Sequence, residues 1–419
     1  MTSPQVQLLF LDLALILLLA RCLGRLLSMV GQPPVVGEIL AGVLLGPTLL
    51  DGAVADALFP VDVRVPLTGM ADIGVALFMF VVGLEIDVSS LRGRGRVTAM
   101  SAFGSTAVPF LLGTALALWL LREHDSAQPV AFVAFVGLSV SVTAFPVLAR
   151  VLADRGLSAT AVGGIALATA AVVDVVAWIA LAGVQASAGG DGRHWRVALI
   201  LPYVLLMLLV VRPLLRRALL RSGTTGRLTA ASCGTVLIGA LLSATATEAM
   251  GMHFIFGAFL FGLVVPRHGT AGLRTELLDH TQRITSLLLP VYFVVAGLRV
   301  DLSGLGADEL LQLGAILLVA VAGKFGGTYV AARSQGLPAR PAAALGVLMN
   351  TRGLTELVIL GIGLQLGLLD DTLYSLMVVM AVVTTAMTGP LLSRVYARPV
   401  EVQRPAGTRE PDPLRASSV

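Results

Sequence analysis

The stretch IALATAAVVDVVAWIALAG, Ile165–Gly183, holds a single charged side chain, Asp174, in nineteen residues. A run this long and apolar can cross the roughly 30 Å hydrocarbon core of a bilayer as a helix. The rest of the chain has the same character. Of its 419 residues, 56% are hydrophobic and 13% charged, about half the charge of a soluble domain. So little charge cannot cover a water-facing surface. The chain reads as an all-α polytopic membrane protein with thirteen spans, near 6–28, 34–50, 67–87, 98–120, 129–153, 159–186, 197–217, 228–249, 253–267, 283–298, 307–330, 341–368 and 372–395.

The basic residues test that count. With the N-terminus outside, 22 of the 29 lysines and arginines fall at cytoplasmic ends and loops, among them Arg92, Arg94, Arg96, Arg212, Arg216 and Arg217. Five fall outside, and two, Lys324 and Arg352, lie within spans. The excess alternates through every loop, as the positive-inside rule requires. An omitted helix inverts it downstream. The first run lacks a basic n-region, and Arg21 and Arg25 follow it, so it reads as a retained span rather than a signal peptide. The expectation is an integral protein of the plasma (inner) membrane, with the bilayer as partner and the C-terminus in the cytoplasm. The basic excess belongs to topology, and nucleic acid is not an expected partner. Cys22 and Cys233 lie far apart and suggest neither a disulfide framework nor a metal cluster.

An odd count of thirteen divides into two halves. Residues 1–396 read as one transmembrane domain: a first repeat at about 6–186, a linker helix at about 197–217 and a second repeat at about 228–395. Corresponding helices are seven apart, so the repeats are inverted in the membrane. Span 5 contains SVSVTAFPVLAR (Ser139–Arg150), with Pro146 mid-span. Its counterpart, span 12, contains MNTRGLTEL (Met349–Leu357), with Asn350, Arg352, Gly353 and Glu356. Interrupted helices at matching positions of two repeats mark a site near the bilayer midplane. Residues 397–419 read as a short disordered cytoplasmic tail, and no soluble regulatory domain is expected. No Walker motif or nucleotide fingerprint occurs, so neither a cofactor nor ATP-driven transport is expected.

Asp174 is the acid placed deep in an apolar helix, and an ionisable group there is costly and functional by default. Low polarity disfavours its charged form, so a proton or a metal cation must cancel that charge. One carboxylate that holds either, but not both, is the minimum device for exchange. Pro146 removes a backbone donor and frees carbonyls near residue 142. Those carbonyls and the Thr143 hydroxyl are hard oxygen ligands suited to Na⁺ or K⁺, and Ser139 and Ser141 are further candidates. Arg352 and Glu356 share a helical face at i, i+4. Arg352 either pairs with Glu356 or neutralises helix C-termini that meet at crossed breaks. Lys324, the sole lysine, is either a core charge or an interfacial snorkelling residue. Glu38 and Glu85 are either an acidic cytoplasmic funnel for cations or ordinary interfacial charges. His253, which opens span 9, is either a pH sensor or a solvated helix-start residue.

These residues sit in runs that resemble the cation:proton antiporter superfamily. The runs are Pro33–Leu50 (PPVVGEILAGVLLGPTLL), Leu77–Asp87 (LFMFVVGLEID), Thr143–Leu152 (TAFPVLARVL), Gly251–Arg267 (GMHFIFGAFLFGLVVPR), Leu289–Leu302 (LPVYFVVAGLRVDL) and Met349–Leu357 (MNTRGLTEL). The likeness is to the branch of Kef-type potassium/proton antiporters and plant cation/proton exchangers, and it covers nearly all spans in order. It implies the thirteen-helix sodium/proton antiporter fold, with crossed unwound segments, a scaffold part, a moving core part and a homodimer. It implies Asp174 as the ion-carrying aspartate, Thr143 as the unwound threonine, and Lys324 and Arg352 as core charges. Val173 stands where many relatives carry Asp, Asn or Gln. A single exchangeable carboxylate then favours electroneutral exchange of one cation per proton. The competing reading on a related inverted-repeat fold is an organic-anion or bile-acid-like symporter. A transport-dead sensor and an enzyme are weaker readings, because neither a relay domain nor an arrangement of nucleophile and base is evident.

Overall fold

A computed structural model describes residues 3–48, 52–85, 95–124, 126–158, 160–188, 199–222, 230–266 and 271–396. The expected tail, 397–419, lies outside the described residues. Among the described residues the secondary structure is entirely helical: α1 (Ser3–Met29), α2 (Pro34–Leu45), α3 (Ala53–Leu58), α4 (Val61–Glu85), α5 (Gly95–Leu120), α6 (Pro129–Ser141), α7 (Phe145–Asp154), α8 (Ala161–Ala188), α9 (Ile200–Leu206), α10 (Arg212–Ser222), α11 (Ala230–Ala249), α12 (Phe254–Val264), α13 (Ala271–Gly297), α14 (Ala307–Ser334), α15 (Ala339–Met349), α16 (Leu354–Gln365) and α17 (Asp371–Val395). A π-helical turn, Met207–Val211, joins α9 to α10. Helices dominate because a chain in hydrocarbon must satisfy its backbone polar groups internally.

Seven of these segments are helical, long and apolar enough to cross a membrane, and the bent pair α15–α16 makes an eighth. The helices α2 and α12 are apolar but short. Every expected span overlaps a helix, and several limits move. Span 10 is the largest case: α13 starts at Ala271, twelve residues before the expected 283, because a polar stretch continues the helix.

The helices form two packed groups. In the first, α1, α2, α4, α12 and α13 pack on one another; in the second, α5 to α8 and α14 to α17 do. Between the groups the packing is sparse, with α17 touching α2 and α13 touching α16.

Glycine contacts expose the internal symmetry. Gly83 on α4 meets Gly262 on α12 so closely that a Cβ on either would fall 2.2 Å from a carbonyl oxygen of the other helix, Phe259 O or Phe80 O. Gly297 on α13 meets Gly42 on α2 the same way, with Ile39 O at 2.5 Å and Val294 O at 2.2 Å from the added carbons. The two crossings use the same offsets, each glycine facing the carbonyl three residues before its partner. The sequence matches: GLEID follows Phe80–Val82 and GLRVD follows Val294–Ala296, while Gly37 and Gly42 have the spacing of Gly257 and Gly262. Spans 3 and 10, and 2 and 9, are the pairs that the inverted-repeat expectation equates.

Candidate functional site

The two interrupted spans meet at their breaks. Span 5 is interrupted, as expected, rather than merely bent at Pro146. Residues 142–144 are extended, and Pro146 is the second residue of a new helix, where its missing N–H costs nothing. Span 12 breaks over 350–353 and bends by 42°. The breaks are laced together: Ala144 N donates to Thr351 O at 3.0 Å, and Thr143 Oγ1 donates to Met349 O at 2.9 Å. Thr143 is fully buried, and its hydroxyl oxygen keeps lone pairs for a ligand.

A helix that ends inside the protein strands its last four carbonyls. In α6 all four find donors. Ser141 Oγ donates to Leu138 O at 2.8 Å. Arg352 donates to Ser139 O at 2.8 Å and to Val140 O at 2.5 Å. Lys324 Nζ donates to Ser141 O. Two buried cations therefore sit on the partial negative end of one helix. Arg352 also donates to Glu356 Oε2 at 2.8 Å, with both side chains fully buried. Both readings of Arg352 hold at once. Glu356 lies in the first turn of α16, where a carboxylate complements the helix N-terminus.

Asp174 is fully buried on α8. It faces the Phe145 amide at the start of α7 and lies within the field of Lys324, yet neither carboxylate oxygen has a well-formed hydrogen bond from the protein. Ser139 Oγ, Asn350 Oδ1 and Glu356 Oε1 are likewise buried and unpaired, while Asn350 Nδ2 donates to Gly346 O at 3.3 Å. The centre thus combines fixed positive charges bonded to a helix end with unsatisfied oxygens nearby.

A cavity of about 450 Å³ opens beside it. Glu38 and Glu85 line it together with Arg150, and it reaches Pro146 and Leu354 at the starts of α7 and α16. Gln282 Nε2 donates to Glu85 Oε1 at 2.9 Å.

A family model described as "Sodium/hydrogen exchanger, transmembrane" matches residues 14–398. The chain belongs to the sodium/hydrogen exchanger family. It is 36% identical over 410 residues to the Na(+)/H(+) antiporter NhaS4 of Synechocystis, covering 95% of this chain and 100% of that one. It is 38% identical to the cation/H(+) antiporter 20 of Arabidopsis thaliana, covering 93% of this chain and 48% of that one. It is 34% identical to the K(+)/H(+) antiporter 1 of Saccharomyces cerevisiae, covering 94% and 47%. The chain thus spans about half the length of the plant and yeast relatives. The sodium proton antiporter MjNhaP1 of Methanocaldococcus jannaschii shares its fold, with a TM-score of 0.66 at 14% identity over 94% of this chain and 97% of that one. By family the chain is an integral-membrane cation/proton antiporter and not an enzyme, and the organic-anion symporter finds no support in these relatives.

Several sequence readings of this exchanger change. Lys324 does not snorkel: it is fully buried and bonded at the break. Ser139 contributes its carbonyl to Arg352, while the Ser141 hydroxyl bonds back to its own helix. Asp174 is not the one deep acid. Asp12 is fully buried on α1 among apolar residues, and Asp72 lies midway along α4. Both stood in plain view, as lone charges in LLFLDLALILLLA and TGMADIGVALF. His253 precedes α12 and lines a second cavity with Asp72.

Proposed function

We propose that this antiporter exchanges one Na⁺ or K⁺ for one H⁺ by alternating access, with Asp174 as the carboxylate that cation and proton share. The observation that carries this reading is the commitment of charge around Asp174. Lys324 and Arg352 are bonded to the carbonyl end of α6, and Arg352 also to Glu356. The buried Asp174 oxygens have no such bond. A charge at that depth needs a partner, and a proton or a monovalent cation fills the role. Thr143 Oγ1 and the Asn350 and Ser139 oxygens are the supporting ligands. Val173, buried beside Asp174, brings no second charge, which supports one-for-one electroneutral exchange.

The wider reading keeps thirteen spans in two inverted repeats with the N-terminus outside. The arginine-rich face is then cytoplasmic, in the plasma (inner) membrane. The cavity of about 450 Å³ is the cytoplasmic funnel, so this conformation is open inward. Glu38 and Glu85 draw cations into it. The α1–α4–α13 group is the scaffold that pairs with a second copy, and the α5–α8, α14–α17 group moves.

Proteoliposomes with a trapped pH dye test the exchange. Added Na⁺ or K⁺ produces a pH change with the wild type and none with Asp174→Asn. A variant that still exchanges normally sinks the role of Asp174.

A further inference from the structure

A second, much smaller cavity of about 50 Å³ lies at the opposite end of the same helices. It is bounded by α4 and α13 on one side and by α16 and α17 on the other. Gly83 and Gly297 occupy equivalent places in the two glycine crossings, a register shift of 214 residues. Under that shift, the walls of the two cavities exchange. Phe78 and Glu85 in the large cavity become Tyr292 and Arg299 in the small one. Thr68 and Asp72 in the small cavity become Gln282 and Ser286 in the large one. The small cavity is therefore the large one rebuilt by the other repeat, nearly closed.

The symmetry is broken by charge. Where the inner funnel has Glu85, the outer cavity has Arg299; where the inner has Ser286, the outer has Asp72. Arg299 and Glu248 are the charged side chains whose fields reach Asp72. Arg299 is exposed at the end of α13, and it forms no direct ion pair with Asp72. Tyr374 Oη, on the mobile group, donates to Ala296 O on the scaffold at 3.1 Å and closes the cavity from that side. A space of about 50 Å³ has room for an ion with a water.

Resting on the alternating-access reading, we propose that Asp72 is a weak cation station on the outer access path, with Arg299 as the built-in counter-charge that holds the place of the cation when that path is shut. A cation entering from outside meets Asp72 as one entering from inside meets Glu85. It must compete there with the Arg299 guanidinium, one for one against Asp72, whereas the inner funnel sets two carboxylates, Glu38 and Glu85, against Arg150. The apparent affinity from outside is then lower than from inside, a directional bias written into one repeat.

Exchange is measured in vesicles of both orientations. Asp72→Asn raises the outer-face KM for Na⁺ or K⁺ about tenfold relative to the inner-face KM, as loss of one nearby unit charge implies. Asp72→Glu restores the ratio, and Arg299→Gln shifts it the opposite way. An equal change on both faces, or none, overturns the proposal. A second readout does not need transport. Purified Asp174→Asn binds ⁸⁶Rb⁺ weakly, and adding Asp72→Asn removes that residual binding. No residual binding in the single variant also overturns it. A wild type that exchanges nothing in either orientation refutes the antiporter reading instead, while Rb⁺ binding still decides Asp72.

Discussion

Replacing Arg352 with Met isolates the contribution of the charge at the crossed breaks, because Met keeps most of the buried stem. The change removes the bonds to Ser139 O, Val140 O and Glu356 Oε2. Stripping one partner from a buried ion pair costs about 3–5 kcal/mol, since the other charge stays behind. Each stranded carbonyl adds about 1–3 kcal/mol. Glu356 can escape part of the cost by taking a proton. A net loss of about 4 kcal/mol is the working figure. With an unfolding entropy of roughly 2 cal/mol/K per residue over 419 residues, this lowers Tm by on the order of 5 °C. Glu356→Gln is milder, because Arg352 keeps both α6 carbonyls and an amide oxygen as acceptors. The double variant Arg352→Met/Glu356→Leu recovers part of the loss, since the stranded carboxylate goes too. Thermal unfolding of the detergent-solubilised protein, followed by fluorescence-detected size exclusion, reads all three. The reasoning is refuted if Arg352→Met melts like the wild type, or if the double variant melts no higher than Arg352→Met.

Two further outcomes follow from other parts of the fold. Gly83→Ala places a carbon 2.2 Å from Phe259 O, so α4 and α12 must separate. A loss at or above the usual 1–3 kcal/mol of overpacking appears as a lower Tm, whereas Gly69→Ala on the same helix, with open space around it, leaves Tm unchanged. Outside the spans, His124 bridges Asp370 Oδ2 at 2.5 Å and Gln312 Oε1 at 2.9 Å. The hydrogen bond to Asp370, aided by Gln312 and Glu123, raises the imidazole above its ordinary 6.5. A raised folded value means the contribution is complete below pH 6.5 and is lost as pH climbs through that higher value. The wild-type Tm therefore falls between mildly acidic and alkaline pH relative to that of His124→Asn, and parallel curves for the two contradict the bridge.

Much of the site was legible because membrane depth makes polar residues conspicuous. Asp174 and Lys324 are single charges in apolar runs, and Arg352 and Glu356 share one polar stretch inside another, so all four stand out from sequence alone. Their partners do not. Whether Arg352 bonds to Glu356 or to a helix end depends on where α6 stops, 213 residues away in the chain. Lys324 was ambiguous because position along a helix fixes depth but not which neighbour faces it. Asp72 has its significance in the cavity formed with α13 and α16, a surface with no sequence signature of its own. GLEID and GLRVD are alike in sequence, and the glycine crossings place them alike in the fold.

The sequence by itself determined that the chain is helical and membrane-embedded, that an acid stands in an apolar span, and that two other spans carry interruptions. Those properties follow from transfer energies and hydrogen-bond satisfaction, which act on each segment separately. Only the tertiary structure decided how the interruptions are used. Extended residues 142–144 cross the second break, and two cations are bound by the end of α6 rather than by Asp174. That choice is made by packing between distant segments, and it leaves the buried Asp174 oxygens without a bond to either cation.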